Sequence, residues 1–390
     1  MKKVGLAVVT YKDNFGSALQ TYATQYVVEK LGYVPECICA DGIMKIIESR
    51  KKKFFLKRIF CPDEFKYIFS YATSRFKKKG TNEFSNNMKI RHNKYTEFNN
   101  KLLNMSPNVC SIQELRKLSG EYQSVIVGSD QLWRPSNIAA GYFTLEEVPN
   151  DVNKIAYSTS FGVIELPNSI KAKAKSFLNR INHLSVREDT GSKIASELTG
   201  RSIPVVCDPT MLLTPNEWFD ISGDQPFSQG DYIVCYLMGD VVEHRNFVKK
   251  LRKETGSRVI GLLHGSTYIA MDEEFPDEKP YDVGPCEFIN LIRNAQYVCT
   301  DSFHCCVFSI ICKTPFFVFR RDSENKTTSS NDRIYTLLNW TGLSDRLLIG
   351  NENISDSISK KIDFDTVHKL VDEKRKQSIK YLSDALGDGK

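Results

Sequence analysis

Titratable side chains recur where apolar runs end in this chain, and the sharpest case is "CTDSFHCCVFSIICKTPFFVF", Cys299 to Phe319. His304 follows Asp301 by three residues and opens a helical apolar stretch, while "QYVC" before it reads as a buried strand. Asp301, Ser302 and His304 therefore fall in a strand-to-helix turn. Ligands of open α/β sheets bind beyond the carboxyl ends of the strands. The helix that follows adds unpaired N–H groups and a positive dipole end, which suit phosphate. An imidazole there is pushed towards neutrality by the dipole and towards protonation by a bound phosphate dianion. His304 in such a turn suits a general acid; capping its own helix, or packing beside Phe303, is the plainer use of the same residue.

Other polar groups fall at the same predicted edge. "VIVGSDQLW" puts Gly128, Ser129 and Asp130 past a strand; "LSVRED" does this for Arg187 and Glu188, and "VVCDP" for Asp208. "YKDNFGSALQ" puts Asn14, Gly16 and Ser17 in the first strand-to-helix turn. Gly16 allows close backbone approach, and Asn14 or Ser17 can cap a helix or touch a ligand. Each has a plain reading as cap, turn former or surface Arg187/Glu188 pair. Together they point five strand ends at one cleft.

The elements that must carry these residues are legible in the hydrophobic pattern. "VGLAVVT", "YVPECIC", "SVIVGSD", "KIAYSTS", "HLSVRED" and "IPVVCDP" read as short buried strands of a parallel sheet, with helical patterns between. Residues 211–230 are rich in Pro, Gly, Ser and Asp and read as a linker. Alternation restarts with "DYIVCYLMG", so the expected organisation is an α/β chain of two Rossmann-like domains facing a cleft. The expected boundaries are 1–210, carrying a basic helical insertion at 45–101, and 231–390, ending in a long charged helix.

At 390 residues with 41% hydrophobic content, the chain can build two cores. The net charge of +6 is modest and gives no reason to expect nucleic acid as a partner. The eleven cysteines form no C-x-x-C pair and no Cys/His group at zinc spacing, so buried thiols of a reducing cytoplasm are expected and no metal site. The N-terminal apolar run is too short for a signal peptide and reads as a first strand.

Residues 45–101 depart from this balance. They hold 16 Lys/Arg against 5 Asp/Glu, a local +11 against −5 for the remainder. Aromatics such as Phe54, Phe55 and Phe60 lie among the lysines. One reading is a surface resting on the inner face of an anionic membrane, with Lys51, Lys52, Lys53, Lys77, Lys78 and Lys79 carrying the attraction. The other is a solvated helical insertion lying outside the strands that the two cores need.

In their order, "NFGSALQTYA", "VIVGSDQLW", "SVRED", "CDPTMLL" and "VCTDSFHCCVFSIICKTPFFVF" resemble the polysaccharide pyruvyl transferase family, from about Val4 to Leu343. The resemblance implies a glycosyltransferase-B-like fold. It also implies transfer of the enolpyruvyl skeleton of phosphoenolpyruvate onto a sugar as a ketal, with release of phosphate and without cofactor or metal. His304 matches the family histidine and Arg187 its cleft arginine. Some members carry an arginine two residues before that histidine, where this chain has Ser302. A second cation must then come from elsewhere; Arg320, Arg321, Lys326 and Arg333 are the candidates, with Arg333 foremost. Asp130 and Asn14 are expected to orient sugar hydroxyls, with Gly16, Asp208, Asp301 and Ser302 completing the site. The implied setting is capsule or exopolysaccharide synthesis in the cytoplasm, with an acceptor that is free or carried on a lipid-linked oligosaccharide. A nucleotide-sugar glycosyltransferase and a non-catalytic sugar- or anion-binding paralogue remain open; released phosphate, nucleotide or neither separates the three.

Overall fold

The computed structural model describes residues 2–56, 58, 80–265, 268–321 and 331–387. Phe60, Lys77, Lys78, Lys79 and Lys326, named above, lie outside them. In the first half, β1 (Lys3–Ala7), α1 (Phe15–Lys30), β2 (Val34–Cys37), α2 (Met44–Leu56), α3 (Asn82–Leu102) and α4 (Ile112–Gly120) lead to β3 (Ser124–Val127). Next come α5 (Pro135–Ala140), β4 (Asn153–Thr159), α6 (Asn168–Arg180), β5 (His183–Val186) and α7 (Asp189–Thr199). These five strands pair in parallel in the order β2-β1-β3-β4-β5.

Helix α8 (Pro215–Ser222) precedes β6 (Tyr232–Tyr236), α9 (Val242–Thr255), β7 (Arg258–Gly261), α10 (Met271–Glu274), α11 (Pro285–Asn294) and β8 (Tyr297–Thr300). The chain continues through α12 (Phe303–Ile311), β9 (Phe316–Phe319), α13 (Asp332–Thr341), β10 (Leu347–Leu348), α14 (Ile354–Ser359) and α15 (Phe364–Gly387). The second sheet is also parallel, ordered β10-β9-β8-β6-β7. β3 and β6 are buried at every residue, as parallel strands covered on both faces must be. β1 pairs with β3 from Val4↔Ser124 to Ala7↔Val127, and β6 with β8 from Ile233↔Tyr297 to Tyr236↔Thr300. That register brings the turns after β1 and β3 side by side, and likewise those after β6 and β8.

Helix α1 joins the two halves. Phe15 stacks on Phe288 of α11 at 4.4 Å between ring centroids, and Tyr22 meets Trp218 of α8, which in turn packs on Phe308 of α12. One apolar cluster therefore runs from β1 through α1 into the second sheet. This fixes where α1 begins, and its first turn carries Asn14 and Gly16 to the cleft.

The structure corrects several expectations. The 211–230 stretch contains α8, opened by a Thr214/Glu217 capping box and anchored by the fully buried Trp218. "IPVVCDP" forms a single bridge, Val186↔Val205, rather than a strand. Within the 45–101 segment, α3 is not a solvated attachment but part of the core. Phe84, Arg91, Tyr95 and Phe98 of α3 are buried, and Tyr95 and Phe98 belong to the shared core. Lys51, expected to face lipid, is buried and paired with Glu48. The final helix belongs to neither half alone. α15 returns to the first sheet, where Asn153 donates to the Ala385 carbonyl, Ser378 accepts from the Cys207 amide, and Tyr381 packs near Tyr157. No helix among the described residues is long and apolar enough to cross a membrane.

Arg91 shows why α3 is part of the frame. Its guanidinium donates to the carbonyls of Leu263 and Pro280 in the second half and lies 5.7 Å from the rings of Phe15 and Tyr281. Arg91→Ala would strand two buried carbonyls, so stability should fall by about 3 kcal/mol, read as a lower melting temperature; an unchanged melt would mean that α3 is a surface attachment.

Candidate active site

A cavity of about 130 Å³ opens between the two sheets. Its first-half wall is Asn14, Phe15, Gly16, Asp130 and Gln131; the second half supplies Ser302, Phe303, His304, Arg321 and Arg333, with Tyr236, Met238 and Phe288. Six of the nine residues expected at the site thus converge on one space: Asn14, Gly16, Asp130, Ser302, His304 and Arg333.

Local structure explains the placement of each. Asn14 is the N-cap of α1 and accepts from the Ser17 amide at 3.0 Å. Gly16 lies directly beneath the His304 imidazole; a Cβ on it would come within 1.9 Å of Nδ1. Glycine is needed there because the ring occupies the volume of any side chain. His304 is in the first turn of α12 and is mostly buried. Asp130 adopts φ +84°, an uncommon backbone for a non-glycine residue, held by Ser160 and Leu132 amides donating to its carbonyl. Its carboxylate accepts from Ser17 Oγ at 2.8 Å and from the Gln131 amide.

Behind this wall sits Asp208, whose side chain is fully buried. Oδ2 accepts from Arg187 Nη1 at 2.7 Å and from Ser129 Oγ at 2.8 Å, and lies 3.4 Å from His304 Nε2. Oδ1 accepts from both the amide and the hydroxyl of Thr210. Burial opposes ionisation, but the adjoining His304 and Arg187 outweigh it and hold the Asp208 carboxyl well below the ordinary carboxylate range. The same balance holds for Asp130, where burial is outweighed by Arg187, His304 and Arg333.

Three expected ligand residues take other places. Arg187 is no surface partner of Glu188; both are buried. Its guanidinium joins Asp208, reaches within 3.7 Å of Asp130 and lies 4.5 Å from the Phe303 ring centroid, one layer behind the cavity wall. Asp208 is likewise in that layer. Asp301 points away, its two oxygens accepting from the amides of Met238 and Gly239, with Arg321 alongside. A carboxylate aimed at a turn of bare N–H groups is consumed by them.

Sequence reasoning missed Gln131 and the role of Phe303. Gln131 belongs to the quoted "GSDQLW" run, where an amide side chain carries no signal of its own. Phe303 does more than pack beside His304: Arg187 and Arg333 both lie within 6 Å of its ring, at 4.5 and 5.7 Å. Burial first, and then repulsion from Arg187, push the Arg333 guanidinium down to about 9, still cationic at neutral pH. Of the candidate cations among the described residues, Arg321 and Arg333 reach the cavity; Arg320 instead stands over the Tyr335 ring. Among the described residues, no three His, Cys, Asp or Glu side chains are grouped to hold a metal ion.

Two parallel Rossmann-like sheets facing a basic cleft define a glycosyltransferase-B-like α/β protein. A family model for polysaccharide pyruvyl transferases matches residues 14–323, and the chain belongs to that family. Comparison with curated proteins finds no match. Among solved structures, the chain is similar to UDP-GlcNAc 2-epimerase from Methanocaldococcus jannaschii in complex with UDP-GlcNAc and UDP, at 14% identity and TM-score 0.47, over 96% of this chain and 94% of that one. It is also similar to UDP-GlcNAc 2-epimerase from Neisseria meningitidis bound to UDP-GlcNAc, at 9% identity and TM-score 0.47, over 97% and 94%. A third similar structure is the glycosyltransferase SnogD from Streptomyces nogalater, at 10% identity and TM-score 0.41, over 97% and 94%.

The buried pair has a measurable pH signature. Asp208→Asn removes the closest anion from the buried Arg187, leaving it only the longer 3.7 Å approach to Asp130, and should cost about 3 kcal/mol of stability. Because the folded Asp208 pKa is depressed, its contribution is complete above the unfolded value near ~3.9 and is lost as pH falls below it. The gap in melting temperature between wild type and D208N should therefore stay constant from neutral pH to about pH 5 and close in stronger acid. A gap that closes above pH 6 would assign the effect to another group.

Proposed function

We propose that the protein transfers the pyruvyl group of phosphoenolpyruvate to two hydroxyls of a sugar, forming a cyclic ketal and releasing inorganic phosphate. The observation that carries this reading is the convergence of Arg321, Arg333, the α12 N-terminus and His304 on one small cavity. Phosphoenolpyruvate is a compact trianion, and guanidinium forks beside a helix N-terminus complement both its carboxylate and its phosphate. Family membership supports the same donor.

In this reading His304 donates a proton to the methylene carbon of the donor. Positive charge develops at the neighbouring carbon, and one sugar hydroxyl adds there, giving up its proton. A second hydroxyl then displaces phosphate at the same carbon and closes the ketal. Asp130, ionised and held in a strained backbone, suits accepting hydrogen bonds from the hydroxyls and orienting them, with Asn14 beside it; the first hydroxyl's proton restores His304 and the second leaves with the phosphate. Arg333 and Arg321 bind the donor anion. Arg187 acts as a positioning residue from behind the wall, pairing with Asp208 there and holding Phe303 and Asp130 in the wall. The sugar product suits capsule or exopolysaccharide synthesis at the cytoplasmic face of a membrane, where the acceptor is carried on lipid.

Phosphate release with aryl glycosides as acceptors, and a product mass increased by pyruvate minus water, test the reaction; nucleotide release from a nucleotide sugar would replace it with glycosyl transfer. His304→Ala should lower turnover by roughly two to four decades with the fold intact. Arg333→Ala should raise the phosphoenolpyruvate Kd by about ten- to a hundredfold, the worth of one or two charged hydrogen bonds. Wild-type turnover in a folded H304A protein would remove the acid from this assignment.

A further inference from the structure

A second chamber meets the cleft at the start of α13. It measures about 290 Å³ and is lined by Asp189 at the start of α7, by Asp332, Tyr335 and Asn339 along α13, and by Ser344 and Leu347 beyond that helix. Both halves of the molecule build it. Thr190 Oγ1 donates to Asp332 Oδ2 at 2.6 Å, and the Asp189 amide donates to Thr336 Oγ1 at 3.4 Å. The two chambers share one helical turn: Arg333 lines the catalytic cavity, while its neighbour Asp332 lines this one.

The lining restricts what can enter. At about 30 Å³ per water the space holds roughly ten waters, near the lower end of ligand-pocket sizes. Its charged side chains are two carboxylates, with no lysine or arginine in the lining, so the donor trianion is repelled. A divalent cation lacks a third carboxylate, histidine or cysteine among the described residues. Carboxylates, an amide and a hydroxyl are the groups that take up the hydroxyls of an uncharged polyol. The Asn339 and Ser344 side chains make no hydrogen bond among the described residues, and both are exposed to the chamber's solvent. The Tyr335 ring, with Arg320 5.9 Å from its centroid, and Leu347 offer an apolar wall to the C–H face of a pyranose.

We propose that this chamber is a carbohydrate subsite that holds a second glycosyl unit of the acceptor. The ligand's identity as part of an acceptor rests on the pyruvyl-transfer reading; sugar binding by the chamber does not. An acceptor held at two units is selected as an oligosaccharide, and single sugars are poorer substrates.

Trp340 follows Asn339 on α13 and is partly exposed, whereas Trp133 and Trp218 are fully buried, so tryptophan fluorescence reports on this helix. The wild-type chain would be titrated with lactose, cellobiose and diacetylchitobiose in the absence of phosphoenolpyruvate. Saturable quenching by at least one is expected. Asn339→Ala combined with Ser344→Ala should weaken it at least tenfold without lowering the melting temperature. In phosphate-release assays the same variant should raise KM for an oligosaccharide acceptor and leave KM for phosphoenolpyruvate and for a monosaccharide glycoside unchanged. No saturable binding of any of the three sugars, or equal binding by the double variant, overturns the subsite. Binding that the variant loses, in a protein that never releases phosphate from phosphoenolpyruvate, upholds the subsite and discards the pyruvyl-transfer reading.

Discussion

The carboxylate of Asp208 is the point on which the cleft depends. An ion removed so completely from water is tolerable only if its lone pairs are met, and five donors or charges surround it: Arg187, Ser129, the Thr210 amide and hydroxyl, and the nearby His304. These come from the ends of β5 and β3, from the segment before α8, and from the first turn of α12. One anion thus gathers the ends of both sheets. Losing Arg187 would leave charge uncompensated in a medium that cannot screen it, and losing a neutral donor would leave a buried lone pair unmet. The arrangement therefore trades stability for placement, and the gain is a His304 ring and an Arg187 fork that cannot wander.

Much of this was legible in the chain because the signals are local. Buried strands announce themselves as continuous apolar runs, and "VGLA", "SVIV" and "YIVCY" became β1, β3 and β6. Gly16 and His304 were each visible as turn residues at a strand end, although nothing in either stretch says that the imidazole rests on the glycine. What stayed hidden depends on partners distant in sequence. Asp208 and Asp301 look alike as aspartates after strands; one meets Arg187 and the other a pair of backbone amides. The charge of residues 45–101 pointed to a surface, while the burial of Arg91 depends on carbonyls some 170 residues later. A charge count registers how many cations a segment has, not which of them find a lid of aromatic rings.

The two halves also differ in what they contribute. The first supplies oxygen-bearing groups on rigid turns, Asn14, Asp130 and Gln131; the second supplies positive charge, Arg321, Arg333 and the α12 N-terminus. Phe303 stands between Arg187 of one half and Arg333 of the other, and its ring, together with the Asp130 carboxylate, lets two guanidiniums approach each other. Opposed walls of this kind make the cavity a property of the two halves together.

The return of α15 to the first sheet has a consequence for how the protein is made. Tyr33, Gln123 and Asn153 lie in the first 153 residues, yet each hydrogen-bonds a carbonyl at Ala385 or Leu386. A chain emerging from the ribosome presents its amino-terminal half first. That half cannot complete its own surface until Ala385 and Leu386 have been added. The closing stitch is therefore made late, and a polypeptide that stops before α15 leaves an apolar seam open on the part that was made earliest.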